Sequence, residues 1–444
     1  MAFARKIFIV FLFCASFSGG AAGKTYSLPE CIEIALANSQ LMRAAGEDIE
    51  FFEAKYKEAV SAALPKGEIK TILTLIPGQR GDPLNGYTNW DELGVFSYSE
   101  IQGILPLYTF GKISSLKEMA KRGMDVSKAK EEIARWEVIS RVKKSYYSLV
   151  LFSELDGIIS EGKEYLDKAK KRIEKLENED SPEFDQIDKL KVKVYEADVE
   201  SRSLGAKRAM KLARSALKLM LSVDAGESFD AADGQMKEVN PDILPLEEYL
   251  KTAVKNRAEL VALQKGIAAK RAEVEFRKSQ FYPDIFFAGY FKLGWSDVTD
   301  GQKSPFAYDP YRTYTGGGGI GLKMDLDFFK KNAELEAVKA ELGKLEALFG
   351  EAVNGTRLEL EKVYMEMTDI KSLIGINKAA MEAARGWLIA KSDMYDTGFC
   401  ELNEVLTALV QFYEKRIGYL NSIYEFNIAA AGLEKIISSK LTNE

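Results

Sequence analysis

The chain has 444 residues, enough for two or three ordinary domains, and its 46% apolar and 29% charged residues describe an ordered protein. Its formal charge of −6 argues against a duplex binder, which needs a basic stripe, so no nucleic acid is expected as a partner. The absence of histidine excludes His-based acid–base chemistry, the Ser-His-Asp triad and histidine metal sites.

Residues 1–23 read as a secretory signal. Arg5 and Lys6 form its charged start, Ile7 to Phe13 its apolar stretch, and Ala21-Ala22-Gly23 the small residues for cleavage. The apolar run is too short for a retained membrane anchor. Cys14 could mark a lipoprotein, but Phe13 before it is a poor lipobox residue. Cleavage leaves two distant cysteines, Cys31 and Cys400, too few for a disulfide scaffold or a zinc site. No metal, cofactor or enzymatic activity is expected. No later stretch approaches the ~20 apolar residues of a membrane helix. An exported chain of this kind is periplasmic, released, or part of an outer-membrane barrel.

Beyond the signal, the chain repeats its plan. Leu28-Pro29-Glu30-Cys31-Ile32-Glu33-Ile34-Ala35-Leu36-Ala37-Asn38 opens one half, and Leu246-Glu247-Glu248-Tyr249-Leu250 begins the matching passage through Asn256. Each passage continues helically to a proline, Pro65 or Pro283. The offset of about 218 residues far exceeds a solenoid unit and marks a duplicated half-molecule.

In the first half, strands are expected around 68–76 and 93–105, separated by the turn-rich segment Pro77 to Gly86. A long helix over 111–176 and another over 182–221 follow, broken at Asp180-Ser181-Pro182. Residues 24–221 thus form a first structural repeat and 222–245 an inter-repeat linker. The second repeat, 246–438, has strands expected at 284–295 and 315–326 and long helices at 331–395 and 400–438. Residues 439–444 are a tail. Ile285, Phe287, Phe291, Leu293 and Trp295 share one strand face, with Ala288, Tyr290, Lys292 and Gly294 on the other. Such strands fit a membrane barrel or an ordinary half-buried sheet. Leu335, Val338, Leu342, Leu345 and Phe349 repeat at 3,4 spacing, as do Leu166, Ala169, Ile173 and Leu176, the periodicity of coiled-coil packing.

Gly316-Gly317-Gly318-Gly319-Ile320-Gly321 satisfies a dinucleotide fingerprint formally, but it leads into a strand instead of a helix. Glycines there more often mark a bend or close backbone approach. Tyr290, Trp295, Phe306, Tyr311 and Tyr314 could form an interfacial aromatic belt, or ordinary loop packing. Glu131-Glu132, Glu359 and Glu361 read as solvated helix faces.

Taken together, these passages resemble the TolC-type outer-membrane efflux channels. The resemblance rests on the two opening helices, on Leu105-Pro106-Leu107-Tyr108-Thr109-Phe110-Gly111-Lys112 at the strand-to-helix junction, and on Tyr395-Asp396-Thr397-Gly398 with Leu402, Glu404, Val405, Leu406 and Ala408. It implies a mixed, mainly-α fold. Duplicated half-molecules give a trimeric outer-membrane β-barrel, four strands per chain, continued by a long periplasmic α-helical coiled-coil barrel. It also implies a passive exit duct of a tripartite efflux or type I secretion system. The implied partners are two further copies in a homotrimer, a periplasmic adaptor protein, an inner-membrane pump and outer-membrane lipid. Physical chemistry agrees on one point: four strands cannot close a barrel, and an open edge cannot face lipid.

At the family's periplasmic entrance, two aspartates ring the pore and an arginine joins the closing network. Aligned on Gly398, the acid positions here are Glu404 and Thr407, the arginine position is Cys400, and Tyr395 matches the tip tyrosine. One acid survives as glutamate, so the charged ring, which biases a pore toward cations, is weaker. The other reading makes Glu404 a solvated helix residue. A periplasmic coiled-coil adaptor or scaffold is the alternative function, although no lipoyl-like module is visible between the helices.

Overall fold

The computed structural model describes residues 24–441 except 83, 182–183, 224–228, 240, 303 and 305. The expected signal segment lies outside the described residues. The described residues begin with β1 (Lys24–Tyr26), α1 (Leu28–Asn38) and α2 (Gln40–Ser61), then enter β2 (Lys66–Arg80) and β3 (Tyr87–Tyr108). Two long antiparallel helices follow, α3 (Lys112–Asn178) and α4 (Gln186–Leu221). After β4 (Phe229–Ala231) the plan recurs as α5 (Leu246–Asn256), α6 (Ala258–Ser279), β5 (Asp284–Ser296), β6 (Tyr314–Lys323), α7 (Phe328–Asp396) and α8 (Leu402–Ile437). At 1.5 Å rise per residue, the 67 residues of α3 and the 69 of α7 each reach roughly 100 Å.

Local chemistry sets the boundaries. Glu30 begins α1 by accepting hydrogen bonds from the Ser27 backbone N–H and hydroxyl, both 2.8 Å, which hold its carboxyl below the usual range. The Ser39 hydroxyl caps α2 by accepting from Leu41 N–H. At the strand-to-helix junction, Phe110 and Gly111 stand consecutively in left-handed backbone, φ 46° and 89°, turning the chain into α3. Phe110 is held there by stacking on Tyr282 from the second half, and Lys112 Nζ lies 2.8 Å from Asp284 Oδ2. The two junctions are therefore tied to each other.

The main sheet is antiparallel in the order β2-β3-β5-β6, leaving β2 and β6 at its edges. One face carries Ile69, Leu73, Ile101, Phe291, Leu293 and Ile320, which the pairing registers align. The opposite face carries Lys70, Glu100 and Lys292 in a cross-strand row, with Gln102 donating to Glu68. The strands run longer than the sequence suggests. Pro77-Gly78 reads as a turn but is a bulge inside the hairpin, where the β2–β3 register shifts. Conversely, β6 ends at Lys323, three residues short of expectation.

The glycine run lies wholly in β6. A Cβ at Gly321 would sit 2.7 Å from the Phe286 ring, and one at Gly317 3.3 Å from the Tyr290 ring. Aromatic rings of β5 thus fill the space above these glycines, which accounts for the motif without a nucleotide. The aromatic cluster read from sequence splits between faces. Tyr314 packs on Phe291 on the apolar face, whereas Tyr290 sits beside Lys292 on the polar face.

The largest core lies midway along α3 and α7 and at the ends of α4 and α8, around Val142, Tyr146, Leu149, Leu217, Phe426 and Leu433. Burial there pushes the Cys31 thiol up to about 11, keeping it an inert core group. Residues 222–245, read as a bare linker, contain β4 paired parallel to β1. The segment is stitched to the helices by part-buried hydrogen bonds. Tyr146 Oη donates to Asp233, Met236 N–H donates to Glu154, and Asn427 bonds the Lys237 carbonyl and the Val239 N–H.

Candidate periplasmic gate

Both helical hairpins end in the same backbone device. At the α7–α8 tip, Phe399 N–H bonds the Met394 carbonyl and Gly398 N–H the Tyr395 carbonyl, with Gly398 at φ +79°. This is a Schellman closure with glycine in its left-handed position. At the α3–α4 tip, Ser181 N–H bonds the Leu176 carbonyl and Asp180 N–H the Glu177 carbonyl, with Asp180 at φ 46°.

Of the five residues singled out from sequence, two meet on one lysine. Lys391 Nζ pairs with the Glu404 carboxylate across the α7–α8 tip, and the Lys391 carbonyl accepts from Cys400 Sγ at 3.3 Å. The hydrogen bond from Lys391 and its charge hold the Glu404 carboxyl below its usual range, and the same contact raises Lys391. Glu404 is therefore an ionised, neutralised partner in this protomer. Thr407 is exposed and turns back to the Asn403 carbonyl of its own helix. Tyr395 turns to the other hairpin, where the Arg172 guanidinium carbon stands 4.5 Å above its ring.

Two residues escaped sequence reasoning. Lys391 stands 13 positions before Glu404, on the other side of a turn. Arg172 belongs to the other hairpin. Cys400 stands where the sequence reading expected an arginine position, and the arginine that faces Tyr395 is supplied by α3.

The first tip holds the mirror-image charge arrangement. Lys189 of α4 bonds Glu177 of α3 at 2.6 Å, so the acid lies on the outgoing helix there and on the returning helix at the second tip. Nearer the middle, Arg416 of α8 reaches Glu161 of α3, and the Tyr413 ring lies over Gly162. Among the described residues there is no cluster of three or more metal-ligating acids or cysteines, and no helix is long and apolar enough to cross a membrane.

Comparison with known proteins agrees with this architecture. Residues 249–439 match the family model described as outer membrane efflux protein. The fold is similar to that of the CusC structures, described in connection with transmembrane channel formation: TM-score 0.75, 13% identity, covering 96% of each chain. It is also similar to the CmeC outer membrane channel of Campylobacter jejuni, with TM-score 0.74, 16% identity and coverage of 94% of this chain and 87% of that one. The open-state MtrE outer membrane channel of Neisseria gonorrhoeae gives 0.73, 16%, 94% and 90%. No curated protein matches the sequence significantly. The fold is the one these outer-membrane channels share, and the match to the outer membrane efflux protein family is confined to residues 249–439. The family's own signature lies in the second repeat, which contains the α7–α8 tip.

Proposed function

We propose that three copies of this chain join edge to edge into one passive duct. A β-barrel crosses the outer membrane and a helical tunnel continues it through the periplasm. The observation that carries this reading is the open edge on each side of the sheet. β2 and β6 present unpaired backbone groups, and hydrocarbon tolerates no such edge. The face destined for lipid is bare: Ile69 is 72% exposed and Ile320 73%. Pairing β6 of one copy with β2 of the next closes the wall.

The helices make the same demand. Ile187, Leu190, Val194 and Leu204 form an exposed apolar row on α4, and Leu373, Ile376, Trp387 and Met394 form one on α7. Both follow coiled-coil spacing and supply complementary seams between neighbouring copies. A small periplasmic adaptor would have no use for a two-edged apolar ribbon.

The duct is closed at the helical tips, where Arg172 on Tyr395 ties one hairpin to the other and Glu404 stands with Lys391 at the entrance. A periplasmic adaptor and an inner-membrane pump recruit the duct and open it, for efflux of small molecules or type I secretion. Opening separates the hairpins and breaks the Arg172–Tyr395 contact. In planar lipid, Arg172→Ala is expected to raise mean single-channel conductance, and Glu404→Gln to weaken block by multivalent cations. Unchanged conductance and block would remove these residues from the gate. Absence of any conductance by the purified protein would remove the duct itself.

A further inference from the structure

The β5–β6 connection does not stand clear of the sheet. Residues 297–300 leave the end of β5 and cross β3 at Gly94. A Cβ on Gly94 would lie 2.0 Å from Val298 Cγ1 and 2.4 Å from Asp297 Oδ1, so only glycine admits the crossing. Val298, Thr299 and Ser296 are all buried there. Beyond β3 the segment reaches the outer end of β2. Gln79 N–H bonds the Val298 carbonyl, and Asp300 N–H bonds the Gln79 carbonyl, at 3.0 and 2.9 Å. Asp300 then accepts from Arg80 Nη1 and Gly81 N–H, both at 2.9 Å, while Arg80 also pairs with Glu92.

The returning part lies on the same face. Gly294 exchanges backbone hydrogen bonds with Thr313, and a Cβ on it would sit 3.3 Å from Thr313 N. The Tyr311 ring packs edge-on against Phe96, 5.5 Å between centroids. Arg312 donates to the Thr299 carbonyl, joining the two crossings.

Which face this is can be read from the pairing. Gly94 and Phe96 share the side of β3 that bears Tyr98 and Glu100, and Tyr98 stands opposite Gly294. That is the polar face with the Glu100–Lys292 pair, and the face opposite it is apolar. In a membrane barrel the polar face lines the lumen. The crossings lie at the strand ends remote from the helices, since β5 starts directly after α6.

We infer that residues 297–300 and 309–313 form a strap folded inward over the lumen wall, making a second constriction at the outer mouth, opposite the helical gate. This rests on the trimeric-barrel reading proposed above. Arg80 is the main pin, because it holds the strap through Asp300 and the hairpin through Glu92. The strap narrows the mouth to bulky solutes while leaving it open to small ones.

The test uses the full-length protein in intact cells, with Cys400→Ser to remove the tip thiol and Gln102→Cys to place a thiol on the lumen wall. A small methanethiosulfonate and a maleimide bearing a multi-kilodalton polyethylene glycol are applied from outside. The small reagent is expected to label readily and the bulky one about tenfold more slowly, because it waits for local opening of the strap. Arg80→Ala, Asp300→Ala and Gly94→Val are each expected to bring the two rates together. Equal rates in the parent protein would overturn the strap and leave the barrel standing, a result that needs no strap variant to fold. Failure of the small reagent to reach position 102 in a heat-resistant trimer would overturn the barrel reading, and the strap with it.

Discussion

The two hairpin tips share a backbone closure and differ in the side chains placed across it. The first puts Asp180 in the left-handed position and joins Glu177 to Lys189; the second uses Gly398 there and joins Lys391 to Glu404. Between the tips, Arg172 of the first hairpin faces the Tyr395 ring of the second, and Leu402 and Leu406 of the second cluster with Ile173 and Val192 of the first. The two halves share the backbone geometry, and a few side chains distinguish the first tip from the second, which carries the proposed gate. The same asymmetry appears at mid-height. The first hairpin holds the linker through Tyr146 and Glu154, the second through the buried amide of Asn427.

That mid-height difference yields the largest expected effect. Asn427→Ala removes the amide that bonds the Lys237 carbonyl and the Val239 N–H, two part-buried hydrogen bonds worth about 1 kcal/mol each. Tyr146→Phe removes a hydroxyl that donates to the Asp233 carboxylate at 2.7 Å and accepts only a long bond, 3.4 Å, from the Asp233 N–H, and should lose about 1 kcal/mol. Thermal melts of the detergent-solubilised protein should rank them in that order. Equal losses would erase the distinction between the two attachments.

Swapping the residues in the left-handed positions should give effects of opposite sign. Gly398→Ala forces a Cβ into φ +79° and is expected to destabilise by about 1 kcal/mol. Asp180→Gly relieves the same strain at the first tip and should gain a few tenths of a kcal/mol, up to about 1. Limited proteolysis at each tip reads both. Protection moving in the same direction for the two variants would contradict the shared closure.

The smallest effect is electrostatic. Because the Lys391 contact depresses the folded-state pKa of Glu404, its contribution is present above the ordinary glutamate value of 4.5 and lost as pH falls through the depressed value. Lys391→Ala should return Glu404 toward the ordinary range, so that cation preference in planar lipid fades at a higher pH than in the parent protein. Identical pH profiles would mean that the pair does not form in the assembled tip.

Much of the architecture was legible because it repeats locally. Leu335 and Val338 were placed on one helical face by spacing alone and do pack together with Val274. The alternation of Ile285, Phe287, Phe291 and Leu293 assigned the apolar strand face correctly, since each pairs with a residue of that face. Long-range chemistry was not legible. Arg172 and Tyr395 lie on different hairpins, and Arg80 and Asp300 are 220 positions apart. Pro77-Gly78 misled for a different reason: turn residues serve equally well in a bulge, and only the register of the partner strand distinguishes the two. At the second tip, Glu404 was singled out by its spacing from Gly398, but its pairing with Lys391 depends on how the turn folds back.

The central claim is that this chain is complete only in triplicate, and the mass of the detergent-solubilised particle tests it most directly. Light scattering with the detergent contribution subtracted should return three chains per particle, extracted from the outer-membrane fraction. A single chain that stays dissolved in the periplasmic fraction without detergent would contradict the account.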